Sequence, residues 1–144
     1  MTGAIFQSFE QKTTPQQGAP HVKALREELK KIGLDGFIVP RTDEHQNEYV
    51  PASSERLAWL TGFAGSWGTA IIMKDKAAIF VDGRYTVQVR EQIDVALFTP
   101  EHLIDNPPEK WIRAHVTSGQ KLGFDPWLHT DDGIDHLKIC IFPM

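Results

Sequence analysis

The sequence predicts an α/β fold, a three-layer sandwich in which a mixed β-sheet lies between helices. Three observations carry this. Short runs of almost wholly apolar residues at 35–40, 69–73 and 77–81 are bounded by turn residues, the pattern of strands buried on both faces. Stretches with apolar residues at helical spacing alternate with them. Two of the runs are separated only by Lys74-Asp75-Lys76, a hairpin connection that puts an antiparallel pair inside the sheet.

Taken in order, residues 7–20 are polar and rich in Gln, Thr and Pro. Residues 1–20 therefore read as a flexible arm, with one α/β domain over 21–144. Val22, Leu25, Leu29 and Ile32 recur at helical spacing with Lys23, Arg26, Glu27, Lys30 and Lys31 between them, and Gly33 caps the helix. The strand at 35–40 closes on Pro40, and a polar, aromatic loop follows over 41–51. Ser53 or Ser54 is expected to cap a short helix through Leu60. The glycine-rich run Thr61-Gly62-Phe63-Ala64-Gly65-Ser66-Trp67-Gly68 leads into the hairpin. A helix is expected over 85–92, a strand over 95–98 ended by Thr99-Pro100, and a helix opened by Pro107-Pro108 and ended near Gly119. A last short strand at 121–124 precedes a helix that starts at Asp131 or Asp132.

Composition bounds the function. The 144 residues hold 15 basic and 19 acidic side chains, a formal net charge of −4, which argues against a nucleic-acid footprint. No apolar stretch reaches the length of a membrane span, and the first residues lack the pattern of a signal peptide. The single cysteine, Cys140, excludes an intrachain disulfide framework and reads as a small buried hydrophobe. A cytoplasmic setting is the expectation.

The chemistry-bearing residues point away from catalysis. His45 with Glu48, and His129 with Asp131, Asp132 and His136, form loose groups without the ligand spacing of a metal motif, so no metal is expected. His115 lies on the apolar side of its helix, as a hydrogen-bonded core or interface residue would. Gly62, Gly65 and Gly68 precede a strand, whereas a phosphate-binding loop follows a strand and opens a helix. Ser66 lies in Gly65-Ser66-Trp67-Gly68, which is not a nucleophile elbow. Asp82-Gly83-Arg84-Tyr85 is the sharpest polar signal. A strand ends in an acid and delivers the planar fork of Arg84, able to meet a carboxylate from outside or an acid of the same domain such as Asp82, Asp43 or Glu48.

Five elements, in order, resemble the N-terminal domain of aminopeptidase P, the Xaa-Pro aminopeptidases of the creatinase and prolidase superfamily. They are Asp35-Gly36-Phe37-Ile38-Val39-Pro40; Asp43-Glu44-His45-Gln46-Asn47-Glu48-Tyr49; Arg56 with Leu60-Thr61-Gly62-Phe63-Ala64-Gly65-Ser66-Trp67-Gly68-Thr69-Ala70; Asp82-Gly83-Arg84-Tyr85; and Leu122-Gly123-Phe124-Asp125-Pro126. The resemblance implies a ribonuclease-H-like fold of the creatinase N-terminal type. It also implies that catalysis belongs to a separate pita-bread domain holding divalent metal, usually manganese, so that no cofactor, metal ligand or catalytic residue is expected within this chain. The loops at 43–49, 63–68 and 82–85 would border the active-site mouth or a subunit contact. That makes Asp82, Arg84, Tyr85, His45, Tyr49, Phe63, Ser66 and Trp67 the site candidates. The tail after Lys138 departs from the family's usual continuation.

The function expected is thus a non-catalytic domain that shapes substrate access and oligomer assembly, in a homodimer or against a peptidase subunit, and meets peptide only together with the catalytic domain. An interaction module that self-associates or docks on a full-length peptidase is the alternative. A small enzyme using Ser66, Arg84 and His45 is a third reading.

Overall fold

The computed structural model describes residues 12–141. Readings placed on residues 1–11, on the Cys140 side chain and on 142–144 fall outside the described residues. Helix α1 (Gly18–Ile32) leads to β1 (Gly36–Pro40), α2 (Arg56–Thr61), β2 (Thr69–Met73), β3 (Ala77–Val81), α3 (Gln88–Gln92), β4 (Thr99–His102), α4 (Pro108–His115), β5 (Leu122–Phe124) and α5 (Asp131–Ile141). The five strands lie in the order β4-β3-β2-β1-β5. The pairs β1–β2 and β2–β3 are antiparallel, and β3–β4 and β1–β5 parallel, so the sheet is mixed as expected.

Strand alternation sorts the core into two layers. On one face Ile72, Ile79 and Val81 pack with Val22, Leu57, Leu60, Phe63, Val89 and Phe98 from the side of α1, α2 and α3. On the other, Ile38, Ile71, Ala78 and Phe80 pack with Trp111 and Ile112 of α4, and Leu137 of α5 joins them. Every residue of β3 is buried, because helices cover it from both sides. Each fully buried Leu, Ile or Phe contributes about 1.5–3 kcal/mol, which makes these layers the main source of stability. Among the described residues no helix is long and apolar enough to cross a membrane.

Six local expectations are corrected. The helix expected from His21 begins at Gly18, after a 3-10 turn at Pro15–Gln17. Within the segment read as a flexible arm, Gln17 Nε2 donates to the carbonyls of Ala58 (2.8 Å) and Trp59 (2.9 Å), and Thr13 Oγ1 donates to that of Gly62 (2.6 Å). Polar side chains there bond the carbonyls at the end of α2, an anchoring by hydrogen bonds that a hydropathy pattern does not register. The strand expected at 95–98 is a turn: Asp94 Oδ1 accepts the Ala96 amide, and its carbonyl accepts those of Leu97 and Phe98. The strand comes afterwards, as β4, and Pro100 is tolerated because β4 lies at the sheet edge.

The helix expected over 85–92 is a 3-10 turn at Gly83–Tyr85 followed by α3. No serine side chain caps α2; Ala52–Ser54 is itself a 3-10 turn, and Glu55 stands at the cap position. Helix α4 stops at His115, and Gly119 (φ 89°) instead serves a separate turn in which the Gln120 amide donates to the Thr117 carbonyl.

Candidate functional site

At the C-terminal end of β1 the loops open a cleft of about 540 Å³. One wall comes from the loop after β1 (Arg41, Thr42, Gln46, Asn47, Glu48), from Ser66, Trp67 and Gly68, and from Arg84. The facing wall comes from Pro108 and Glu109 at the start of α4, from Leu128, His129 and Thr130, and from α5.

The first wall is fastened from within. The Arg41 side chain is 9% exposed. Its Nη1 donates to the Ser66 carbonyl at 3.1 Å and to the Glu48 carbonyl, and its amide donates to the Gly68 carbonyl at 2.8 Å. One arginine therefore ties the two loops together. Asp43, 3% exposed, accepts the amides of His45 (2.9 Å) and Asn47 (3.1 Å) and the Asn47 side chain (3.0 Å). The Asn47 amide and these further donors outweigh burial and hold the Asp43 carboxyl below the usual carboxylate range. Gln46 takes the left-handed conformation (φ 58°) in the turn that Asp43 closes.

Ser66 stands at the junction. Its Oγ donates to Glu48 Oε1 at 2.9 Å and lies 2.6 Å from the Tyr85 hydroxyl, which also accepts the Ser66 amide at 3.1 Å. Tyr85 is fixed in turn by an edge-on contact with Phe63, at 5.4 Å between ring centres. Arg84 is gripped by Asp82: Nε and Nη2 reach the two carboxylate oxygens at 3.1 and 2.8 Å, and the Arg84 amide donates to Oδ1 at 2.9 Å. Its Nη1 lies 3.9 Å from Glu48, and its guanidinium carbon 5.1 Å from the Tyr85 ring centre. The side chain is nonetheless 59% exposed, so the fork is held in place and open to solvent. The pairing with Asp82 raises the affinity of the guanidinium for its proton and depresses that of the Asp82 carboxyl.

Of the sequence candidates, Ser66, Trp67 and Arg84 line the cleft, and Asp82 and Tyr85 stand directly behind them. His45 and Tyr49 are exposed outside its walls; His45 Nε2 lies 3.8 Å from Glu44. Phe63 is not at the mouth: it is fully buried in the core beneath the loop. A side chain at Gly65 would strike the Phe63 ring at 2.2 Å, so the glycine lets the loop close over the phenyl group. Ser66 and His45 form no nucleophile–base pair, since the Ser66 hydroxyl is taken by Glu48 and Tyr85.

Residues that sequence reasoning did not single out include Arg41 and Glu109, and His129, weighed there only as a metal ligand, lines the cleft as well. His129 packs edge-on against Phe124, and its buried Nε2 has no partner among the described residues. Burial pushes the imidazole pKa down, against the opposing pull of Asp125, and keeps the ring neutral at neutral pH. His115 stacks on Trp111 and its Nδ1 lies 2.8 Å from that residue's carbonyl, as expected of a hydrogen-bonded residue on the apolar side of the helix. His136 Nε2 lies 3.7 Å from Glu109, a link between α5 and α4 rather than part of a metal cluster with His129. Among the described residues no three His, Cys, Asp or Glu side chains come together as a metal site.

Comparison with known proteins agrees with this architecture. Rat (Rattus norvegicus) Xaa-Pro aminopeptidase 2 is 41% identical over 105 residues, 73% of this chain but 16% of the relative's own length. An X-prolyl aminopeptidase from Caenorhabditis elegans, described as a cytosolic enzyme with a di-nuclear active site, superposes with a TM-score of 0.72 at 24% identity, covering 87% of this chain and 22% of that one. The N-terminal creatinase/prolidase-like domain of a metallopeptidase from Corynebacterium diphtheriae superposes with a TM-score of 0.63 at 22% identity over 85% of this chain and 87% of that one. The model of the creatinase/prolidase N-terminal domain matches residues 21–138, and the chain belongs to that family as the N-terminal domain of an Xaa-Pro aminopeptidase-like peptidase.

Proposed function

We propose that this domain is a non-catalytic partner in an Xaa-Pro aminopeptidase-like metallopeptidase, where its polar cleft borders the path by which peptide reaches an active site on a separate catalytic domain. In this reading the release of a residue preceding proline, and the manganese or other divalent metal it requires, belong to that second domain. The setting is cytoplasmic. The observation that carries the proposal is the mounting of Arg84. A guanidinium pinned by Asp82, backed by Tyr85 and left open on a cleft is suited to meet a carboxylate or carbonyl arriving from outside. The neighbouring Glu48 and Glu109 give the same cleft an acidic complement for a peptide amine.

The test is a chimera. Residues 21–138 replace the matching domain of the rat enzyme, and hydrolysis of an Xaa-Pro peptide is followed with manganese. Arg84→Ala in the active chimera is expected to raise KM several-fold with the melting temperature unchanged. An unchanged KM would remove Arg84 from the substrate path, and manganese-dependent release by the isolated chain would overturn the non-catalytic reading.

A further inference from the structure

A groove runs along α1 at the end of the sheet remote from the Arg84 cleft. It reaches Asp35 and Lys74, beside the paired Gly36 and Met73, whereas the cleft opens beyond Pro40 at the other end of β1. Its volume of about 490 Å³ lies in the usual range of small-molecule sites. The two ends differ in character. Leu97 lies beside the start of α1, where a Cβ on Gly18 would stand 3.6 Å from it, so Ala19, Val22 and Leu97 make that end apolar. At the other end Arg26 reaches the hairpin turn, with Lys30 and Lys74 beside it. From Ala19 to Lys30 the helix rises roughly 16 Å.

The chain carries a net charge of −4, yet this groove holds a surplus of cations. Arg26 Nε donates to the Met73 carbonyl at 2.8 Å, and Nη2 to the Lys76 carbonyl at 3.3 Å. These acceptors are neutral, so they fix the guanidinium without cancelling its charge. Burial lowers its affinity for its proton, against the pull of Asp75, and Asp75 itself lies 3.9 Å from Lys76. Neither Lys23 nor Lys30 is ion-paired among the described residues. Of the two acids that line the groove, Asp35 is taken by Lys74 at 2.6 Å and by the Lys121 amide at 2.8 Å, which leaves Glu27. A partly desolvated cation without a counter-charge gains most from an anion that brings its own apolar body, because that body covers the apolar end and keeps water from screening the pair.

We propose that this groove binds an amphiphilic carboxylate, a single acyl chain lying along α1 with its head at Arg26 and Lys30 and its tail over Val22 and Leu97. The occupant is a small molecule rather than a protein because a stable protein interface takes about 20–30 residues a side, whereas eleven residues line this groove. The single acidic head matches a groove whose free cations gather toward one end. This inference does not depend on the role given to the Arg84 cleft.

Titration of the full chain with dodecanoate below its micelle concentration, followed by amide NMR, tests it. Saturable shifts are expected along α1 and at Leu97, with none at the Arg84 cleft. Acetate, which has the head alone, and dodecyl maltoside, which has the tail with a neutral head, should each bind at least tenfold more weakly. The double variant Lys23→Glu/Lys30→Glu should weaken dodecanoate about tenfold, and more added salt should weaken it in the unaltered chain as well. Ala19→Glu sets a like charge at the tail end and should also weaken it. All three positions are exposed, so these variants are expected to fold, and thermal melts check that they do. Absence of saturable shifts, equal binding of the maltoside, or indifference to both sets of variants would overturn the proposal. So would occupation of the groove by an acidic amphipathic peptide but not by dodecanoate, which would assign it to a protein partner instead.

Discussion

Arg84 shows how one residue can be tightly held and still contribute little to folding. Its partners Asp82 and Glu48 are both reachable by water, and exposed ion pairs of this kind contribute about 0–1 kcal/mol. Asp82 does more, because Oδ1 also accepts the Arg84 amide and so caps the 3-10 turn. Arg84→Ala is therefore expected to leave the melting temperature of the isolated domain within about 2 °C, while Asp82→Ala costs about 0.5–2 kcal/mol by loss of the cap. Thermal melts of the two variants side by side decide this. A larger loss for Arg84→Ala would mean that the ion pair serves stability rather than the cleft. The sequence pointed to Asp82 as an ion-pair partner and to Arg84 as an exposed fork, and both hold at once. It could not separate Phe63 from its neighbours, since a phenylalanine among glycines fits an exposed loop tip as well as a loop folded over its own ring.

At the scale of elements, the hairpin was legible because two independent signals agreed, apolar runs of matching length and a polar turn between them. β4 was not, because Thr99-Pro100 read as the end of a strand and only the sheet order reveals that they lie at an edge. The same limit split the candidate site. Its first wall, residues 41–48 and 66–68 with Arg84, lies in loops whose composition stands out. The facing wall of Glu109 and His129 is brought across β1 by the packing of α4 on α5, which no local pattern encodes. Gly62 is a conformational requirement: it closes α2 in the left-handed region at φ 90°. An added Cβ there would also lie 2.4 Å from the Gln92 carbonyl oxygen and 2.9 Å from that of Thr14. Both atoms are backbone, so neither can move aside cheaply. Gly62→Ala should destabilise the domain by about 2 kcal/mol or more, read from a urea midpoint with unchanged slope. Gly119→Ala provides the comparison. It has the same sign of φ but nothing within 4 Å, so it should cost only the backbone strain, about 1 kcal/mol.

For the whole molecule, the response to acid follows from where its carboxylates are bonded. Asp35 joins the hairpin turn to the start of β5: Lys74 Nζ donates to Oδ1 at 2.6 Å and the Lys121 amide to Oδ2 at 2.8 Å. Asp43 closes the loop after β1, and Asp82 holds Arg84. In each case donors to the ionised carboxyl hold its pKa below the ordinary value in the folded state. The unfolded chain, with carboxyl pKa values near about 3.9, then binds protons that the folded chain refuses. The stabilisation from these groups is fully present above that value and is lost as pH falls through the lower folded values. His129 has the same sign for a different reason. Burial disfavours its charged ring, so its folded pKa is depressed and stability begins to fall once the unfolded imidazole, at about 6.5, takes up its proton. The melting temperature should therefore be level above about pH 7, decline gently below about 6.5, and fall steeply below about 4. His129→Gln should remove the gentle limb and leave the steep one, while Asp35→Asn should lower the plateau and shorten the steep limb. A melting temperature that rises on acidification from pH 7 to 5, or a gentle limb that survives in His129→Gln, would show that the protons enter elsewhere.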